Sequence, residues 1–177
     1  MASIKIKGDT SGDITISAPA VAGTNTLTLP ATTGNILTST SDVSDLPTAP
    51  SFSARISSNQ TVSANTFTKM ECATEDWDTD SKYDNVTNYR FTPTVAGYYQ
   101  FNLAMRGNST GTNIIALYKN GAIWKRKITA GHSYAQLSII AVSDTDDYFE
   151  AYGYTSGTTF DATDTNNWFQ AHFVRGV

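Results

Sequence analysis

All twenty Phe, Tyr and Trp residues of this chain stand at or after Phe52, and the first 51 residues carry none. Aromatic side chains supply much of the buried area of a small domain. Residues 51–177 can therefore enclose a core alone, and the segment before them cannot. Four of the five prolines, Pro19, Pro30, Pro47 and Pro50, fall in that aromatic-free segment. Length alone would suggest one domain; the split argues for a compact head on an N-terminal stem. Residues 1–37 read as an anchoring stem, residues 38–50 as a linker rich in Ser, Thr, Asp and Pro, and residues 51–177 as the head.

Within the head, the stretch Tyr83 to Phe101, YDNVTNYRFTPTVAGYYQF, is the most informative. A strand entering it must end near Phe91, because Pro93 cannot donate to a central ladder. Gly97 reads as a tight bend. After it Tyr99, Phe101, Leu103 and Met105 alternate with Tyr98, Gln100, Asn102 and Ala104, the period of a half-buried strand. Further strands are predicted over 114–118, 122–127, 134–142, 148–154 and 167–174, divided by turns of Gly, Asn, Asp and Ser. Asn120-Gly121 is the strongest hairpin signal among those turns. Many short strands, frequent turns and no helical periodicity indicate an all-β sandwich or jelly roll.

The same stretch resembles the signature of the C1q/TNF-like jelly roll, as found in bacterial and phage C1q-like domains. Other segments are similar to that family in the same order. Phe52-Ser53-Ala54-Arg55 is like its opening strand, and Asn65-Thr66-Phe67-Thr68-Lys69-Met70 follows. Ala116-Leu117-Tyr118-Lys119-Asn120-Gly121 is like its Leu-Tyr-x-Asn-Gly hairpin, and Trp168-Phe169-Gln170-Ala171-His172-Phe173-Val174 like its aromatic closing strand. One position departs: the Gly-Asp that precedes the family's penultimate strand is Asp146-Asp147 here. The resemblance implies a homotrimer that displays a surface and catalyses no reaction. It also leaves Tyr99, Phe101, Phe169 and Phe173 two roles, the hydrophobic core or packing at a threefold axis.

The stem shows short alternations: Ile4 and Ile6, Ile14 and Ile16, then Leu27 and Leu29, separated by Gly/Asp/Asn turns. Two large aliphatics per strand cannot offset the roughly 1–2 kcal/mol per residue of backbone ordering. These six residues are expected to be buried by a partner, either copies of the stem or another protein. The stretch Gly8 to Leu37 also looks like stem modules of tailed-phage fibre and head-appendage proteins.

Chemistry candidates are few. Asp76, Asp78 and Asp80 begin like a calcium loop, but Ser81 stands where a Gly is needed and Thr87 where a carboxylate is needed. A looser calcium site would draw on carbonyls or a neighbouring subunit; otherwise no cofactor is expected. Trp77 and Trp124 are candidate ligand-surface residues, since an exposed indole stacks on a sugar face. His132 and His172 lack the neighbours of a catalytic relay. A net charge of −4 and one basic run, Lys125-Arg126-Lys127, give no broad face for nucleic acid. Cys72 stands alone, which excludes an intramolecular disulfide. With no signal-peptide core and no apolar run of membrane-spanning length, the chain is expected in a host cytoplasm and then on a virion surface. The expected function is a trimeric capsid decoration or head-fibre protein, joined through its stem to the major capsid or another virion protein. The alternative is the receptor-binding tip of a tail fibre, recognising host-surface glycan or protein.

Overall fold

The computed structural model describes residues 3–7, 9–17, 21, 23–24, 49–162 and 166–177. The chain divides into two units, Met1–Asp45 and Leu46–Val177. In the first, β1 (Ser3–Lys7) and β2 (Asp13–Ser17) form an antiparallel hairpin. Its register sets Ile4 opposite Ile16 and Ile6 opposite Ile14, so the four isoleucines share one face. Lys5 and Asp13 form an exposed ion pair at 3.8 Å, a contact of little energetic weight. Leu27 and Leu29 lie outside the described residues.

The second unit is a sandwich of two antiparallel sheets, and no helix occurs among the described residues. One sheet contains β3 (Ser51–Arg55), β6 (Thr74–Asp78), β9 (Gly97–Arg106), β12 (Tyr134–Ser143) and β15 (Trp168–Arg175), in the order β12-β9-β15-β3-β6. The other contains β7 (Tyr83–Asp84), β8 (Arg90–Phe91), β10 (Thr112–Lys119), β11 (Ala122–Ala130) and β13 (Phe149–Thr155), in the order β11-β10-β13-β8-β7. There β5 (Thr68–Lys69) also pairs with β13, and β4 (Gln60–Thr61) with β14 (Thr159–Phe160) makes a small ribbon. First and last strands of the head are neighbours, and β10 pairs both its successor β11 and the distant β13. This is jelly-roll connectivity.

Alternation decides what enters the core. Tyr99, Phe101, Leu103 and Met105 of β9 are fully buried, as are Ile115 and Leu117 of β10 and Phe149 of β13. Phe52 sits at the centre: it stacks on Tyr83 at 4.5 Å and Phe91 at 4.7 Å, and meets the edge of Phe169 at 4.9 Å. Each such ring contributes about 1.5–3 kcal/mol by leaving water, and ring-to-ring geometry adds to that.

Two turn readings are sharpened by the structure. Gly97 is not the bend expected of it; it is the first residue of β9, paired with Ser143. Glycine is required there because a Cβ would collide with the Phe173 ring and the Arg175 carbonyl. Asn120 and Gly121, by contrast, have φ of 52° and 78° and close the β10–β11 hairpin as their sequence implies. The departure at Asp146-Asp147 has a structural answer in the same corner. Asp147 is buried, pairs with Lys119 Nζ at 2.7 Å and accepts Asn120 Nδ2 at 2.6 Å and the Asp144 N–H at 2.9 Å. Burial pushes its carboxyl up, and these hydrogen bonds outweigh burial and hold it below the usual range. The penultimate strand thus starts from a buried carboxylate that ties two turns together.

Candidate functional site

The four aromatics left between core and interface sit in or against the core. Tyr99, Phe101 and Phe169 are fully buried, and Phe173 packs on the cluster from its edge, 5.3 Å from the Tyr99 ring. Tyr99 donates its hydroxyl to the Val95 carbonyl at 2.8 Å, which satisfies its one polar atom. Burial, with the Asp80 charge second, pushes that phenol up to about 12.

The acidic turn spends its carboxylates locally. Asp76 accepts from Arg55 Nε and from Ser53 Oγ, both at 2.9 Å. Asp78 accepts the Tyr83 N–H at 2.7 Å and the Asp80 N–H at 3.3 Å, closing the β6–β7 turn. Asp84, two positions after the lysine of this run, accepts the N–H groups of Thr87, Val86 and Asn88 between 2.9 and 3.1 Å. Those bonds, Thr87 first, hold its pKa down to about 2. Among the described residues no three acidic, histidine or cysteine side chains converge as a metal site. Trp77 is half exposed on β6, opposite Ser53. Cys72, just before this turn, is fully buried, and the Tyr83 hydroxyl donates to its carbonyl at 3.1 Å.

Apolar surface concentrates elsewhere, on the consecutive strands β11 and β12. Of the eleven exposed large hydrophobic residues described in the head, six lie there: Ile123, Trp124, Ile128, Tyr134, Ile140 and Val142. Both strands are edges of their sheets, so this side of the sandwich is open. Trp124 occupies the bulge of β11, where the pairing slips between Leu117 and Tyr118. Lys119 and Lys125 stand over its indole at 5.7 and 5.9 Å. Inward from Ile140 and Val142, across the first sheet, runs a polar ladder. Ser138 donates to Asn102 at 2.8 Å and Gln100 to Ser138 at 3.0 Å, while Gln170 donates to Ser53 at 3.0 Å. An apolar rim beside ordered polar side chains has the composition of a protein–protein contact. The sequence marks Trp124 as a candidate ligand-surface residue and does not mark Ile140 and Val142. Their signal was present, since Leu137-Ser138-Ile139-Ile140-Ala141-Val142 is apolar on both parities of one strand.

In the N-terminal unit the four isoleucines remain uncovered, at 66%, 53%, 67% and 42% exposure for Ile4, Ile6, Ile14 and Ile16. A concavity lined by Ile6, Lys7, Ser11, Gly12, Asp13 and Ile14 accompanies them. Four in-register aliphatics thus share one uncovered face of the hairpin.

Comparison with solved structures places the head's fold. Murine APRIL superposes with a TM-score of 0.58 at 7% identity, over 72% of this chain and 100% of that one. The globular domain of zebrafish complement 1qA gives 0.53 at 14% identity, over 72% and 99%. The vertex protein P5 of PRD1 gives 0.52 at 12% identity, over 72% and 96%. No protein-family model and no curated protein sequence matches the chain. The fold is a TNF/C1q-like jelly roll.

Proposed function

We propose that this chain is a non-enzymatic structural protein of a virion, a homotrimeric decoration or head-fibre protein whose jelly-roll knob faces solvent. The observation that carries this reading is the distribution of exposed apolar surface. One patch lies on the β11–β12 edge of the head, and a second is the isoleucine face of the β1–β2 hairpin. Burial of such patches is worth about 25 cal/mol per Å² of apolar surface removed from water, so each favours association. Ile140 and Val142, on the β12 side of the head patch, would join copies of the chain, and the hairpin would dock on the particle. The fold-level likeness to a vertex protein of PRD1 is consistent with that setting, by analogy of fold alone.

Light scattering of the purified chain should give about three times 19.1 kDa, and Ile140→Lys with Val142→Lys should shift it towards the monomer. A clean monomer of the unaltered chain at micromolar concentration contradicts the proposal. Removing residues 1–45 should leave a folded trimer that no longer joins particles; decoration by the truncated chain would move attachment to the head.

A further inference from the structure

The outward face of the second sheet carries a cluster that neither self-association nor anchoring explains. Across β10 and β13 the register pairs Ile114 with Tyr154, Ala116 with Tyr152 and Tyr118 with Glu150. Each pair points away from the core, because the intervening Ile115, Leu117, Phe149 and Ala151 are buried inside it. The inward position between the two tyrosines is Gly153, where a Cβ would meet Met105 and Phe160. Tyr118 stacks on Tyr152 with centroids 3.8 Å apart. Phe67 joins them, 6.3 Å from Tyr118 and 5.4 Å from Tyr154. All four rings are half-buried. They cover Ala116, which has no exposure at all.

Charge on this face is one-sided. Its carboxylate, Glu150, is buried and held by Lys69 Nζ at 2.5 Å. Arg90, opposite Glu150, lies over the Tyr148 ring at 4.7 Å. Arg126 pairs across from Ala116 on β11, exposed, with no ion pair or hydrogen bond among the described residues. It is close enough to Tyr118 to act on that phenol electrostatically. The hydroxyls of Tyr118 and Tyr152 likewise have no partner among the described residues.

We infer that this face, built by Phe67, Tyr118, Tyr152, Tyr154 and Arg126, binds an acidic oligosaccharide. A pyranose ring offers an apolar C–H face for the aromatic rings and hydroxyls for the free phenols. A sugar carboxylate matches the planar fork of Arg126, whose charge is unanswered in a chain of net charge −4. The alternatives fit less well. An extended peptide takes a sheet edge or a groove, and the three tyrosines stand on β10 and β13, inside the edge strand β11. Nucleic acid needs several free cations in a row along its backbone, whereas on β11 Lys125 and Lys127, opposite the inward Leu117 and Ile115, alternate away from the Arg126 face. The inference rests on the head alone and holds for a monomer or a trimer.

The test is calorimetric titration of the whole chain with oligogalacturonate, alongside a neutral oligosaccharide of equal length, poly-glutamate and single-stranded DNA. Oligogalacturonate should bind, weaken with added salt and lose about tenfold in affinity with Arg126→Gln. Arg126 is an exposed strand residue, so that variant should keep its melting temperature. Tyr152→Ala should also abolish binding; if it unfolds the head, Tyr154→Ser tests the same platform from its rim. The inference is overturned by no binding at millimolar ligand, by unchanged affinity in Arg126→Gln, or by equal affinity for the neutral sugar, poly-glutamate or DNA. Light scattering on the same samples reads the oligomeric state separately, so failure of trimerisation and failure of sugar binding are told apart.

Discussion

Strand β9 and the hairpin β1–β2 obey the same local rule and reach opposite ends. In both, large apolar residues alternate with polar ones. In β9 the apolar set, Tyr99 to Met105, is wholly buried; in the hairpin every isoleucine is exposed by two fifths or more. The difference lies in what stands opposite. Facing β9 is a second sheet that supplies Phe91, Phe149 and Leu117, whereas no such layer faces Ile4, Ile6, Ile14 and Ile16 among the described residues of their unit. Alternation thus states that one face wants to be covered, and only the rest of the assembly says by what.

The comparison breaks first at the core. Phe101→Ala removes a ring packed against Phe91, Phe149 and Phe169, and should cost about 3–5 kcal/mol, read as a large drop in the melting temperature. Ile6→Ser with Ile14→Ser is expected to leave the head's melting temperature unchanged, and a comparable drop there would mean that the hairpin already has its partner within the chain. A smaller effect is expected at Asp84. Its pKa is lowered to about 2 by backbone donors, below an ordinary value of about 3.9. Its stabilisation is therefore full above the ordinary value and is lost as pH falls through the folded one. The stability difference between the native chain and Asp84→Asn should shrink between about pH 4 and pH 2; a difference that stays constant over that window would place the stabilisation elsewhere.

Much of the head was legible because period-2 patterning and turn chemistry act over a few residues. The strands around Tyr99, Ile115 and Phe169 and the Asn120-Gly121 turn follow from that alone. Predicted strands ended early where long-range pairing extended them: β11 runs on to Ala130 because β10 continues to pair it. Gly97 shows the limit clearly. Its reason for being glycine is Phe173, 76 positions away in sequence and adjacent in space. The candidate surfaces were less legible for the same reason. Trp124 was visible as an isolated indole, but its place beside Ile140 and Val142 depends on two edge strands of different sheets. The tyrosine face needs the register between β10 and β13, which no local signal sets.

Cys72 has a practical consequence. The thiol is fully buried and burial pushes its pKa well up, so it stays protonated and out of reach of electrophiles. Since it is the chain's one cysteine, a cysteine introduced at an exposed position of β11 or of the β1–β2 hairpin would be alkylated by maleimide alone. Site-specific dyes, spin labels or cross-linkers can therefore be attached to this protein without first removing the native thiol, and each copy in an assembly would carry one label.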